Sequence, residues 1–139
     1  MALVLDTGPV LAALDADDPQ HQACAELLRD RREPLVVVAS TLVEIDYWVR
    51  KGLSLDVWKT FVEDIEGGAY RLEGLLPADV ARAADLQVKY ADLDLGFVDA
   101  SVIAICERLQ EDKVATLDHR HFGMVRLLDG SALTLLPMA

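Results

Sequence analysis

Ala2-Leu3-Val4-Leu5-Asp6-Thr7-Gly8-Pro9 decides how the rest of the chain is read. A short apolar run ends on one carboxylate, and a Gly-Pro breaker follows at once. Such a run, bounded by a turn signal, reads as a strand buried on both faces, the habit of a parallel sheet. In open α/β sheets, chemistry collects outside the carboxyl ends of the strands. Asp6 therefore marks an edge, and further acids arriving there would make that edge a site.

Working outward, Thr7 to Leu14 suits a short helix and Asp15 to Pro19 a turn-rich loop. Pro19 suits a first helical position. Ala23, Cys24, Leu27 and Leu28 then mark one face of a helix reaching about Arg31. Leu35 to Ala39 predicts a second buried strand. Ser40 and Thr41 begin a helix to about Lys51, closed by Gly52. Ser54 or Leu55 opens the next, with Trp58, Phe61, Val62 and Ile65 inside and Gly67-Gly68 at its end. Ala69 to Leu72 reads as a short third strand. Pro77 begins a helix to about Tyr90 with Val80, Ala81, Ala84 and Val88 on one face.

Asp92 to Gly96 is a loop. Phe97 to about Gln110 is apolar on most sides, as in a deeply buried helix. Lys113 to Leu117 is the fourth strand, His119 to Phe122 a turn or short helix, and Leu133 to Leu136 the closing strand. Strands alternating with helices imply an α/β fold: a central parallel sheet of four to five strands, flanked by helices through right-handed crossovers. Residues 1–139 read as one domain, without repeat, low-complexity segment or linker.

Composition narrows the function classes. With 53% hydrophobic and 27% charged residues, the chain is globular rather than disordered. No apolar run approaches the roughly 18 residues of a membrane span, and no basic region precedes the first apolar stretch as in a signal peptide. A cytoplasmic protein without membrane contact is expected. Cys24 and Cys106 lie in separate helices without metal-ligand spacing and read as buried, reduced thiols. The net charge of −11 is awkward for a protein gripping nucleic acid through phosphates alone. Part of that acidity suits a cation site, whose carboxylates are offset only by bound metal.

Four acids stand out by position. Asp6 ends the first strand, Asp118 ends the fourth, and Glu44 and Asp99 lie in first turns of helices. Strand ends and following helix starts share one edge of a parallel sheet, so Asp6, Glu44 and Asp118 agree, and Asp99 joins them if its helix packs across that edge. Each acid also has a plainer reading. Thr41-Leu42-Val43-Glu44 fits a capping box. Asp99 suits the helix dipole, Asp6 a turn, and Asp118 a cap on the segment that follows. Asp6 and Asp99 are flanked by apolar residues, where an unpaired charge is expensive. Clustered carboxylates repel and raise one another's pKa, and a hard divalent cation removes that penalty. Two such ions can activate a water and stabilise a leaving oxygen. His119 and His121 either touch phosphate or are solvated. Asp46 falls on a different helix face from Glu44, and Asp92 and Asp94 read as caps.

Val4-Leu5-Asp6-Thr7, Leu42-Val43-Glu44-Ile45-Asp46-Tyr47, Gly96-Phe97-Val98-Asp99-Ala100-Ser101 and Thr116-Leu117-Asp118-His119-Arg120-His121-Phe122 follow one another in a known order. In these motifs the chain resembles, nearly end to end, the PIN-domain family and its VapC-type ribonuclease toxins of type II toxin–antitoxin systems. The resemblance implies an acidic quartet of Asp6, Glu44, Asp99 and Asp118 that binds Mg²⁺ or Mn²⁺ and hydrolyses an RNA phosphodiester. Asp118 matches the most variable position. Thr7 and Thr116 match hydroxyls that support the ligands. The resemblance also implies a homodimer, a VapB-type antitoxin covering the toxin, and operator DNA bound only through that antitoxin.

RNA contact would rest on local cations: Arg29, Arg31 and Arg32, Arg50 and Lys51, or Arg120 with its histidines. Tyr47, Trp48, Trp58 and Phe61 lie on consecutive helices that suit either antitoxin docking or core packing. Three rivals share parts of the pattern. A PIN-like DNA nuclease would use the same acids but needs DNA-gripping elements that this short chain lacks. A phosphorylation-controlled receiver needs an acid pair after the first strand and a late lysine. Here there is only Asp6, and no lysine follows Lys113. A catalytically silent binding domain does not need an intact quartet.

Overall fold

The computed structural model describes residues 1–30 and 32–138. The chain runs β1 (Leu3–Leu5), α1 (Thr7–Leu14), α2 (His21–Arg29), β2 (Leu35–Val38), α3 (Thr41–Gly52), α4 (Leu55–Glu66) and β3 (Arg71–Glu73). It continues with α5 (Pro77–Lys89), α6 (Phe97–Leu109), β4 (Lys113–Ala115), α7 (His119–Met124) and β5 (Thr134–Leu136). The strands form one sheet in the order β3-β2-β1-β4-β5, every neighbouring pair parallel.

Alternation along these short strands builds two cores. Val4, Val36, Val38 and Val114 face the layer containing Ala83 and Leu86 of α5 and the apolar length of α6. Leu3, Leu5, Val37 and Ala115 face Val10, Leu28, Ile45, Val49 and Phe61 from α1 to α4. Burial on both faces is why β1 reads as unbroken hydrophobe rather than as an alternating strand. The chain lays down β1, β2 and β3 to one side, then returns past β1 to place β4 on the other. The carboxyl ends of β1 and β4 therefore flank the point where strand order reverses, the natural crevice of an open α/β sheet.

The Thr7–Leu14 helix is present as read, with Pro9 in its first turn, where a missing N–H costs nothing. Other boundaries differ from expectation, each for a local reason. Pro19 does not open α2. Asp15 and Asp18 side chains accept the N–H groups of Asp17 and Gln20, so the chain turns twice before His21. The expected helix end at Arg31 lies outside the described residues. β3 sits one to two residues later than read, where Arg71–Glu73 pairs with Val36–Val38.

The largest correction concerns α5. Its buried residues are Asp79, Ala83 and Leu86, whereas Val80 and Val88 are 43% and 78% exposed. The contact with α6 is partly ionic: Arg108 Nε donates to Asp79 Oδ2 (3.0 Å) and Arg82 Nε to Glu107 Oε1 (2.7 Å). Paired charges turn the polar face inward, and Ala83 lets the helices approach. Both cysteines are buried and free, and no described helix is long and apolar enough to cross a membrane.

Candidate metal centre

The site grows from the seam between β1 and β4. Asp6 N–H donates to Ala115 O (2.9 Å), which holds the end of β1 against β4. The Asp6 side chain is buried, and Thr116 Oγ1 donates to its Oδ2 (2.9 Å). The same Thr116 oxygen accepts the Asp118 N–H (3.0 Å). One hydroxyl thus orients the acid of β1 and the chain entering α7.

Glu44 arrives on the first turn of α3. The capping box expected of it is not made: Thr41 Oγ1 donates to Val38 O (2.7 Å) instead. The Glu44 carboxylate turns toward the sheet and accepts from Thr7 Oγ1 (2.7 Å). Asp99 arrives on the first turn of α6, and a serine pair ties that helix start to α3. Ser101 Oγ donates to Val98 O (2.7 Å), so the bond of 2.6 Å between Ser40 Oγ and Ser101 Oγ is donated by Ser40. Asp118 precedes α7 and caps it, accepting from His121 N–H on Oδ1 (3.0 Å). Its Oδ2 lies 2.6 Å from His121 Nδ1.

Electrostatics show that the four acids share one field. Burial pushes the Asp6 carboxyl up; the Thr7 N–H and Thr116 hydroxyl oppose this, and Glu44 and Asp118 add to it. Burial also raises Asp99, with the charges of Asp6, Asp118 and Glu44 behind it, to about 6, against a small opposing pull from His121. Among the described residues, no lysine or arginine forms an ion pair with Asp6, Glu44, Asp99 or Asp118. The donor set, carboxylate oxygens with adjacent hydroxyls, suits a hard divalent ion. One ligand atom each from Asp99, Asp118 and His121 already lies within 4.8 Å of the others.

Other residues fall elsewhere. Asp46 is held by Arg50 Nε (2.6 Å). Neither Asp92 nor Asp94 caps α6, whose preceding residue Gly96 makes no side-chain cap; Asp94 instead adopts a left-handed φ of 51°. Phe61 is fully buried, which removes it as a docking residue, while Tyr47 and Trp48 are about half exposed. Arg29 pairs with Asp30, and Lys51 Nζ donates to Tyr47 Oη (3.0 Å). Arg31 lies outside the described residues, and Arg32 lines a cleft with Glu26, Asp30 and Glu33. Arg120 is exposed on α7, two residues after Asp118. Ser40, Ser101 and the contact of His121 with Asp118 were not read from the sequence as parts of this site. The spacing of three between Asp118 and His121 was the available signal for the last.

A family model described as the PIN domain matches residues 3–126. The chain is 31% identical over 135 residues to Ribonuclease VapC26 of Mycobacterium tuberculosis, covering 97% of this chain and 100% of the relative. Among solved structures, it resembles Mycobacterium tuberculosis VapC20, a sarcin-ricin loop cleaving toxin. That match has a TM-score of 0.75 and 16% identity, over 81% of this chain and 86% of the other. It also resembles VapBC2 from Rickettsia felis, bound to a DNA fragment from its promoter. Here the TM-score is 0.70 and the identity 13%, over 97% and 98% of the two chains. At these identities the solved structures speak to the fold.

Proposed function

The chain belongs to the PIN-domain family, and from that premise we propose that it is a divalent-metal-dependent endoribonuclease, a VapC-type toxin that stops translation by cutting RNA. The whole chain, residues 1–139, acts as one domain in the cytoplasm. One observation carries the metal dependence: four acids crowd the β1–β4 seam with no lysine or arginine to pair them among the described residues, and Asp99 is pushed up to about 6. An uncompensated cluster of this kind costs stability unless a cation completes it.

Asp6, Glu44, Asp99 and Asp118 would hold Mg²⁺ or Mn²⁺. The bound ion would supply an activated water and offset charge on the phosphate. The chain's own contribution is to aim the acids. Thr116 fixes Asp6 and the approach to Asp118, Thr7 fixes Glu44, and the Ser40–Ser101 bond sets α3 against α6. Arg120 offers a cation to an RNA phosphate. A transfer-RNA or ribosomal-RNA loop suits this reading, since sequence-specific recognition of RNA mostly targets single-stranded loops.

The partners follow from the same reading. A VapB-type antitoxin covers the site, and the pair meets operator DNA through the antitoxin. The toxin itself forms a homodimer. A mostly apolar groove of about 380 Å³ lined by Leu42, Val43, Asp46, Trp58, Val62, Ile65 and Leu72 supports docking on α3 and α4, and Tyr47 and Trp48 of α3 are about half exposed.

The deciding experiment is induction of the protein followed by mapping of new RNA 5′ ends, with Asp6→Asn and Asp99→Asn as controls. New ends are expected only with the wild-type acids and divalent metal. Cleavage that persists in both variants, or after full metal removal, would overturn the reading. Growth arrest without new RNA ends would favour a binding domain instead.

A further inference from the structure

We propose that the outward face of α5 is the surface on which a second copy of this chain docks, the two α5 helices crossing antiparallel about a two-fold axis near Ala84. This gives the homodimer its interface and rests on that reading. Leu76, Val80, Ala84 and Val88 follow one another at intervals of four and form one ridge, starting at the N-cap of the helix. Leu76, Val80 and Val88 are 51%, 43% and 78% exposed, and Ala81 and Ala84 are exposed with them. The opposite face, with Asp79, Ala83 and Leu86, is the one buried against the body of the fold, so the ridge stands open to solvent. A contiguous apolar face left open in this way marks a contact surface. Two ridges of spacing four pack into one another's grooves, and a small residue at the crossing lets the helices approach.

Charge selects the occupant. The molecule carries −11, so a second copy is repelled at long range and docks best through a face without net charge. The open face of α5 has that balance, exposing Asp85 and Lys89, one of each sign. Neither forms an ion pair among the described residues. Arg82 lies in the field of Asp85, but its Nε donates to Glu107 Oε1 (2.7 Å). Lys89 Nζ lies 5.4 Å from the centre of the Tyr90 ring. On a helix of 3.6 residues per turn, Leu76 and Val80 fall to one side of Ala84, and Asp85 and Lys89 to the other. An antiparallel two-fold sets each flank against the same flank of its mate. The apolar flanks then meet, and Asp85 of each copy faces the flank that carries Lys89 of the other. A parallel pairing would set apolar flank against charged flank.

The test is sedimentation velocity of the full chain across a dilution series. Wild type should be a dimer. Ala84→Arg should raise its dissociation constant by about 30-fold or more, with far-UV circular dichroism unchanged. Asp85→Lys alone and Lys89→Asp alone set like charges together and should each weaken the dimer by about tenfold, and the double reversal should restore it. A dimer unmoved by Ala84→Arg and by both single reversals would overturn the α5 assignment while leaving the homodimer reading in place. If those same variants instead block binding of a different protein, the face belongs to that partner and the proposal falls. Weakening that the double reversal does not rescue would overturn the antiparallel pairing. A wild type that stays monomeric throughout would overturn the homodimer reading and this interface with it.

Discussion

Asp99 carries its charge where the protein least tolerates it. Its folded pKa, about 6, stands above the ordinary 3.8 because of burial and three neighbouring acids. A raised carboxyl pKa means the folded state holds the proton more tightly than the unfolded chain. The resulting stability is present below about pH 3.8 and is lost as pH rises through about 6. Asp99→Asn should therefore stabilise the metal-free protein by about 1–2 kcal/mol at pH 7.5, after allowance for partial exposure. That gain should vanish near pH 4, as urea denaturation in chelator at both pH values will show. Thr116→Val makes the opposite case. It removes the donor to buried Asp6 and should cost about 1–3 kcal/mol, with metal affinity down by about tenfold in calorimetry. The positions of Asp6, Glu44 and Asp118 along the chain were legible because strand ends and helix starts announce themselves in sequence. Whether α6 packs across the edge and so delivers Asp99 depends on tertiary contacts, and the Ser40–Ser101 bond spans 61 residues that no local pattern connects.

At the scale of elements, α5 teaches most. A stripe of Val80, Ala81, Ala84 and Val88 marks an apolar helix face, yet the face against α6 carries Asp79, Ala83 and Leu86. Periodicity locates a helix from its apolar spacing but assumes that charge points outward. Asp79 points inward because it accepts from Leu76 N–H at 2.8 Å and from Arg108. The partner that makes this tolerable is 29 residues away and invisible to any local window. Removing one member should be costly, since it strands a buried charge. Arg108→Ala should destabilise by about 2 kcal/mol, less than a fully buried pair because Arg108 is partly exposed. Val88→Ser, on the open face, should change the stability of the isolated monomer by less than about 0.5 kcal/mol. Chemical denaturation of the two variants side by side separates a face set by ion pairs from one set by hydrophobic spacing. By contrast, α3, α4 and α6 are legible almost to the residue, because each carries a run of buried or half-buried apolar side chains at helical spacing between clear start and stop signals.

For the whole molecule, the −11 charge and the acid seam bear on one another. Among the described residues no lysine or arginine pairs with the acids gathered at the switch point, so on the proposed reading a bound metal would be linked to folding. Divalent ion at 100 times its dissociation constant should add about 2.7 kcal/mol. For a domain of this size that corresponds to a rise of about 8 °C in Tm, checked by scanning calorimetry with and without chelator. Sodium chloride at equal ionic strength should not reproduce the rise, because screening lowers repulsion among exposed charges but does not ligate buried ones. The same charge makes RNA a like-charged partner at long range, and an antitoxin surface complementary to it would be basic. With metal held saturating, raising salt from about 20 to 150 mM shortens the Debye length to about 8 Å. Antitoxin association should slow across that range as steering is lost. RNA cleavage at low substrate should hold or rise as repulsion is screened, unlike a basic nuclease that grips many phosphates. Stopped-flow association and initial-rate cleavage on the same preparation measure both slopes. A steep fall in cleavage with salt would mean that a cationic surface grips the RNA backbone, rather than the metal and the few local cations beside it.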